Sequence, residues 1–361
     1  MSPTPSSHRP PARRRLALAA ALLLVGGLAA CGDDGSTDAA STTTRAAGGD
    51  DAPAVESDAF PVTIEHAFGS TEVESEPQRV VSVGYTEQDA LLALGVIPVG
   101  ITDWYGDQPF GTWPWAQDLL GDAEPELLSI ADGFELERIA RLDPDLIIGT
   151  NAGIEADTYE DLAAIAPTIA HPDGGDGYFS AWDTQTLMIG KAVGRGDAAQ
   201  ELVDEVKAEY AAVAEEHPEW EGVKATFLQN AFYEGEAIAY QDGLSTDFLT
   251  DLGFEIPSEL DAFEGEEDGS QAYIPLEQLS VLDASDVLIW GTEKPSDRDA
   301  LEEQPLYDAL EEVEDGKLVF TDGITAGAIY FTSVLSLPYV LEHLVPALES
   351  TLAGDGPATI E

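Results

Sequence analysis

Asp89-Ala-Leu-Leu-Ala-Leu-Gly95 and Asp247-Phe-Leu-Thr-Asp-Leu-Gly253 share the pattern D-x-L-x-x-L-G. In each, leucines at helical spacing close on a glycine, the residue that most readily ends a helix by turning left-handed. A second pair follows in the same order. Leu136-Glu137-Arg138-Ile139 with Asp145-Leu146-Ile147-Ile148 is matched by Leu276-Glu277-Gln278-Leu279 with Asp286-Val287-Leu288-Ile289. Two ordered matches predict two homologous halves.

Working outward, short apolar runs alternate with helix-period stretches from Phe60 onward, which predicts an α/β chain built on parallel sheets. Strands are expected at Val80 to Val83, Val96 to Ile101 and Leu146 to Ile148, and a helix at Thr86 to Leu94 with Thr86 as N-cap and Asp89 completing a near capping box. Gly95 to Leu136 is 41 residues, but Gly253 to Leu276 is 23. Most of the difference falls in Asp103 to Ala116 (DWYGDQPFGTWPWA), the most aromatic stretch of the chain. It follows a predicted strand, and the ends of parallel strands are where α/β sheets hold ligands. Between the halves, Phe179 to Glu216 carries a helical period interrupted at Gly194-Arg195-Gly196, predicting one long bridging helix of about 50 Å with a kink.

The two ends differ in character. Met1 to Ala30 holds Arg9, Arg13, Arg14 and Arg15, no acid, and an apolar run from Leu16 to Ala30, as in a secretory signal. The sole cysteine, Cys31, follows Leu28-Ala29-Ala30 in a pattern like a bacterial lipobox, so Cys31 is expected to carry a lipid anchor. A small-residue cleavage site beside a chance cysteine is the alternative. Residues 31–58, poor in large apolar groups, are expected to form a flexible tether. The organisation expected is therefore signal (1–30), tether (31–58), first lobe (59–178), bridging helix (179–216) and second lobe (217–361).

The chain has 15 Lys and Arg against 70 Asp and Glu, a formal net charge of −55. Loss of the four signal arginines would leave the mature chain near −59. Such a balance excludes a nucleic-acid binder, whose affinity comes from neutralising phosphates. One cysteine excludes a disulfide framework and cysteine-built zinc or iron–sulfur sites. Of the mature chain's histidines, His66, His171, His217 and His343, no two lie close in sequence, so no metal site built mainly of histidines is expected, a site drawn from distant segments being the alternative. No Gly-x-Ser-x-Gly, His-Glu-x-x-His or phosphate-binding glycine loop is present, which weighs against an enzyme.

Pro77-Gln-Arg-Val-Val-Ser-Val83 followed by the first D-x-L-x-x-L-G unit and Val96-Ile-Pro-Val-Gly100 resembles the opening of the class III periplasmic binding proteins, the siderophore, haem and cobalamin receptors of bacterial importers. Leu136 to Ile148, then Tyr159 to Thr168 ending in Ile165-Ala-Pro-Thr168, resembles the family's second signature, and the likeness runs from Phe60 to Leu348. The resemblance implies two Rossmann-like lobes with central parallel sheets, bridged by one long helix, acting as a monomer with its ligand between the lobes. It implies a lipid-anchored receptor on the outer face of the cell membrane that passes a ferric siderophore to an ABC transporter permease and its ATPase. Iron would arrive already chelated, so no resident cofactor is expected. Glu137 and Glu277 match the family's acidic pair, one per lobe, that contacts permease arginines. A first-turn glutamate favoured by the helix dipole would look the same.

For the cleft, the first lobe offers Tyr85, Trp104, Tyr105, Trp113 and Trp115, and the second Phe232, Tyr233, Trp290, Arg298, Tyr330 and Phe331. Aromatic walls suit a bulky, partly apolar chelate because they supply rigid contact area at low entropic cost. Core packing is the competing role for each. The scarcity of Arg and Lys near these positions favours a neutral or cationic ferric hydroxamate over an anionic tricatecholate. A haem or cobalamin receptor of the same fold, an anchored α/β hydrolase and a purely structural acidic surface protein are the alternatives.

Overall fold

The structure, a computed structural model, describes residues 52–174, 177–265 and 270–360. Cys31, the signal and most of the tether lie outside them. The first lobe begins with an antiparallel hairpin of β1 (Val62–His66) and β2 (Gly69–Val73). Its sheet holds β3 (Val80–Ser82), β4 (Gly100–Thr102), β5 (Glu126–Leu128), β6 (Leu146–Gly149) and β7 (Thr168–Ala170). They are all parallel in the order β5-β4-β3-β6-β7. The order reverses between β3 and β6, which opens a crevice at the carboxyl ends of those strands. The strands are short, and β3, β4, β6 and β7 are buried along their whole length, as in a parallel sheet covered on both faces, while β5 at the edge is partly exposed. Val96 to Val99, expected as the start of a strand, instead unwinds the preceding helix, and only Gly100 onward joins the sheet.

The second lobe contains β8 (Ala225–Tyr233), β9 (Glu236–Ala239), β10 (Ala272–Pro275), β11 (Val287–Gly291), β12 (Leu318–Phe320) and β13 (Ala358–Thr359), ordered β10-β9-β8-β11-β12-β13. Here β8, β11, β12 and β13 run parallel, while β9 is antiparallel to both its neighbours. The central pair β8 and β11 corresponds to β3 and β6, and the second lobe departs from the first by folding β8 and β9 into a hairpin.

The repeated heptapeptides perform the same local task. Gly95 and Gly253 have φ of +73° and +95°, and the N–H of Val96 bonds to the carbonyl of Leu91 as that of Phe254 does to Leu249. These are matching Schellman closures. Upstream, Thr86 precedes the helix Glu87–Ala93 as expected, but the near capping box does not form. The Thr86 hydroxyl accepts from Asn151, and the Asp89 carboxylate points to the other lobe.

The segment expected as one kinked helix is two. Helix Trp182–Ala192 ends at Gly194, φ +69°, and helix Gly196–Glu216 runs back along it, so Asp183 meets Lys207 at 2.6 Å and Gly190 packs on Ala199. The 21-residue second helix, about 31 Å long, is the bridge. At its start, Arg195 donates to the Leu94 carbonyl of the first lobe, and towards its end the Tyr210 hydroxyl donates to the Leu337 carbonyl of the second. One apolar core runs from Leu91 and Ile148 through Trp182, Ile189 and Val203 to Phe227 and Val340. Residues 52–58, expected to belong to the tether, are packed on the body. The Glu56 N–H donates to the Gly194 carbonyl and its carboxylate accepts from the Asp197 N–H, fixing residues 52–58 to the body.

Candidate functional site

The crevices of the two sheets face one another across a cleft of ≈ 310 Å³. Tyr85, one turn beyond β3, and Trp104, two residues beyond β4, form the first-lobe wall. Tyr330 and Phe331, at the end of helix Gly323–Tyr330, close the second. Tyr85 stacks on Phe331 with centroids 5.5 Å apart and planes 13° from parallel, and Trp104 lies 5.1 Å from Phe331. Four of the eleven nominated cleft residues therefore line the cleft together.

Tyr178, Phe179, Tyr240, Gln229 and Gln271 complete the lining, and sequence reasoning missed all five. Tyr178 stacks 6.2 Å from Tyr85, and Phe179 lies 5.8 Å from Phe331. Gln229 Oε1 accepts from the Tyr240 hydroxyl at 3.3 Å and from Gln271 Nε2 at 3.2 Å, which fixes the Gln229 amide in the cleft wall. Gln229 gave no signal, because it lies within β8 rather than after it. Tyr178 and Phe179 gave no signal because they precede a helix rather than follow a strand.

Three more aromatics stand behind the wall. The Tyr105 hydroxyl donates to the Gly323 carbonyl across the lobes at 2.9 Å. Trp113, 4% exposed, stacks on Trp115 at 5.2 Å and presses on Gly327. Trp115 Nε1 donates at 2.8 Å to Asp89 Oδ2, which also accepts at 2.6 Å from Ser333 of the second lobe. The aromatic insertion thus ties the lobes together as well as supplying Trp104.

The remaining nominations are corrected. Trp290 is 0% exposed in the middle of β11, whose five residues are all buried, and it packs on Tyr307 in the second-lobe core. Arg298 lies on the outer helix Pro295–Glu302, paired with Glu302 and stacked 4.3 Å over Phe320. Phe232 and Tyr233 border a separate groove.

Every lining side chain of the cleft is uncharged. Burial raises the phenol pKa values of Tyr85, Tyr240 and Tyr330, so these hydroxyls stay protonated and uncharged. The Tyr330 hydroxyl is held by the Gly291 carbonyl at 2.8 Å. Glu137 and Glu277 are both exposed in the first turn of the segments Leu136–Arg141 and Leu276–Ala284 that return to β6 and β11. A segment running back from the carboxyl end of a parallel strand begins at that end, so both carboxylates sit on the cleft edge of their lobes.

Two doubly wound lobes that share an uncharged aromatic cleft and are joined by a helix define a two-lobed ligand-binding protein. The chain belongs to the periplasmic binding protein family, which matches residues 80–325. A periplasmic solute binding protein from Mycobacterium smegmatis shares 43% identity over 81% of this chain and 98% of its own, with a TM-score of 0.74. Streptococcus pneumoniae PiaA, solved with ferrichrome, shares 25% over 81% and 99%, with a TM-score of 0.69. The probable siderophore-binding lipoprotein YfiY of Bacillus subtilis is 28% identical over 211 residues, which are 57% of this chain and 61% of that relative.

Proposed function

We propose that this chain is the substrate-binding lipoprotein of an ABC importer and that it captures a ferric siderophore of hydroxamate type in the aromatic cleft. The observation that carries the reading is the lining itself, which offers flat aromatic faces, the Tyr85 hydroxyl and side-chain amides as polar groups, and no charge. A ferric trihydroxamate has no net charge and presents oxygens that such groups can meet. An anionic tricatecholate or citrate complex would leave its charge unpaired in this cleft, at a cost of several kcal/mol. A haem held by tyrosinate would require phenols that ionise easily, and here burial opposes ionisation. Ferrichrome, bound by the pneumococcal relative, belongs to the favoured class.

In this reading iron enters and leaves inside its chelate, and the protein holds no resident cofactor and performs no catalysis. Cys31 carries the lipid, placing the body outside the cell membrane, and Glu137 and Glu277 dock the permease. Titration of the purified protein with a ferric trihydroxamate, a ferric tricatecholate, ferric citrate, haem and cobalamin, followed by tryptophan fluorescence, tests the assignment. Trp104 lies in the wall, so the trihydroxamate is expected to quench emission at concentrations at least tenfold below the others. Tighter binding of haem, cobalamin or an anionic chelate overturns it.

A further inference from the structure

A second cavity, ≈ 450 Å³, adjoins the cleft, and Gln229 stands in the wall of both. It exists because β8 loses register. Pairing with β9 slips between Gln229 and Tyr233, and Asn230 takes φ +54° with its Oδ1 accepting the Ala231 N–H at 2.8 Å. This displaced stretch faces helix Pro295–Glu302, which contributes the small Ala300 where a larger side chain would close the space.

The groove is hydrocarbon in character. Its walls include Phe232, Tyr233, Ile238 and Ala300. Phe232 abuts the fully buried Trp290 edge to face, 5.8 Å away, so that wall is rigid. Its one charged group, Asp297, is already engaged. Oδ2 accepts the N–H groups of Glu293 and Lys294 at 3.0 Å each, and Oδ1 lies 3.5 Å from Lys294 Nζ. Tyr233, 64% exposed, leaves one side open to solvent.

We infer that this groove holds an aliphatic arm of the chelate whose iron centre occupies the cleft. The inference rests on the function proposed above. Continuity through Gln229 selects that occupant, because an arm leaving a chelate in the cleft passes this side chain and enters the groove without crossing a lobe. Each methylene removed from water raises affinity about fourfold. Ordering a flexible chain offsets part of that gain, so an arm of four to six methylenes is expected to tighten binding by about tenfold or more.

The test compares two ferric trihydroxamates that differ only in a terminal acyl group, acetyl against octanoyl, in fluorescence titrations of the native protein, Ala300→Trp and Phe232→Ala. Ala300 is exposed on its helix, so a tryptophan there can fill the groove without entering the core. The octanoyl chelate is expected to bind the native protein at least tenfold more tightly than the acetyl one. Ala300→Trp should erase that ratio while acetyl-chelate affinity and melting temperature stay unchanged, and Phe232→Ala should reduce it. Equal affinity of the two chelates for the native protein, or a ratio untouched by Ala300→Trp, overturns the groove assignment and leaves the cleft assignment standing. Failure of both chelates to bind the native protein overturns both.

Discussion

Gly327 lies inside a helix, where glycine ordinarily costs about 1 kcal/mol relative to alanine. A methyl group there would come 2.7 Å from Trp113 Cζ3 and 2.9 Å from the Tyr105 hydroxyl, so the glycine admits the aromatic insertion. Gly327→Ala is expected to lower stability by about 1 to 3 kcal/mol through overpacking and, by displacing the insertion, to weaken ligand binding about tenfold. Melting curves and titrations check this, and a stabilised variant would show helix propensity winning over the contact. Asp89 and Glu87 allow a second residue-level prediction. Burial pushes Asp89 up to about 6, against hydrogen bonds from Ser333 and Trp115, and pushes Glu87 up to about 7. An unfolded carboxyl releases its proton near 4, so between that value and the folded one the native state holds more protons and stability falls as pH rises. Melting temperature should therefore fall from pH 5 to pH 7.5. Asp89→Asn, which keeps an acceptor for Trp115 and Ser333, should flatten the slope and raise stability at pH 7.5 by up to about 3 kcal/mol. A slope unchanged in the variant would remove Asp89 as its source. The aromatic insertion was legible as a site because its composition is unusual for its length. Trp290 was misplaced because a strand buried on both faces shows the same apolar run whether its tryptophan faces a cleft or a core. Tyr178 and Gln271 reach the cleft from opposite sides of the bridge, a proximity that no local pattern records.

At the scale of elements, the paired lobes could be read in advance because each repeat carries its own helix stop. The leucines and glycine of both heptapeptides specify the same closure without help from distant contacts. The reversal at Gly194 resisted such reading. A helical period continues on both sides of Gly194-Arg195-Gly196, and periodicity alone cannot separate a kink from a turn. What decides is long-range packing. Asp183 reaches Lys207, Ala199 packs on Gly190, and the Phe60 ring would lie 2.7 Å from a methyl group on Gly194. Gly194→Ala should accordingly cost about 2 to 3 kcal/mol, combining a left-handed φ with that contact. Gly354→Ala, at φ +88° with open space around it, should cost about 1 kcal/mol and isolates the conformational share. Denaturant unfolding of the two variants measures both, and equal losses would mean that Phe60 plays no part. The β8–β9 hairpin was equally hidden, since the slip at Asn230 that opens the groove arises where β8 meets β9, not from any turn signal in the strand itself.

For the molecule as a whole, most of the 70 acids act collectively, as a solvated negative surface whose field reaches little beyond about 8 Å at physiological salt. Glu137 and Glu277 differ from the rest by position. They follow equivalent leucines, sit in the first turns of segments that return to the equivalent strands β6 and β11, and project from the cleft edge of each lobe. The bridging helix and the Asp89–Ser333 bond between lobes fix their separation, so a partner with two-fold character can meet both at once. Two simultaneous charge-assisted bonds multiply rather than add in effect, because the second forms at high effective concentration. Reversing one charge, Glu137→Arg or Glu277→Arg, is therefore expected to reduce import of the iron chelate by about tenfold or more. Reversing both should abolish import, while chelate affinity in the purified protein stays within about twofold of native. Glu201→Arg with Glu215→Arg, on the exposed side of the bridging helix, changes net charge by the same amount and should leave import intact. Uptake of a radiolabelled ferric chelate, in cells carrying each variant as their sole copy, reads all four outcomes. Normal import by the double reversal at 137 and 277 would remove these two residues from docking. A matching loss in the bridging-helix control would assign the effect to net charge instead of position.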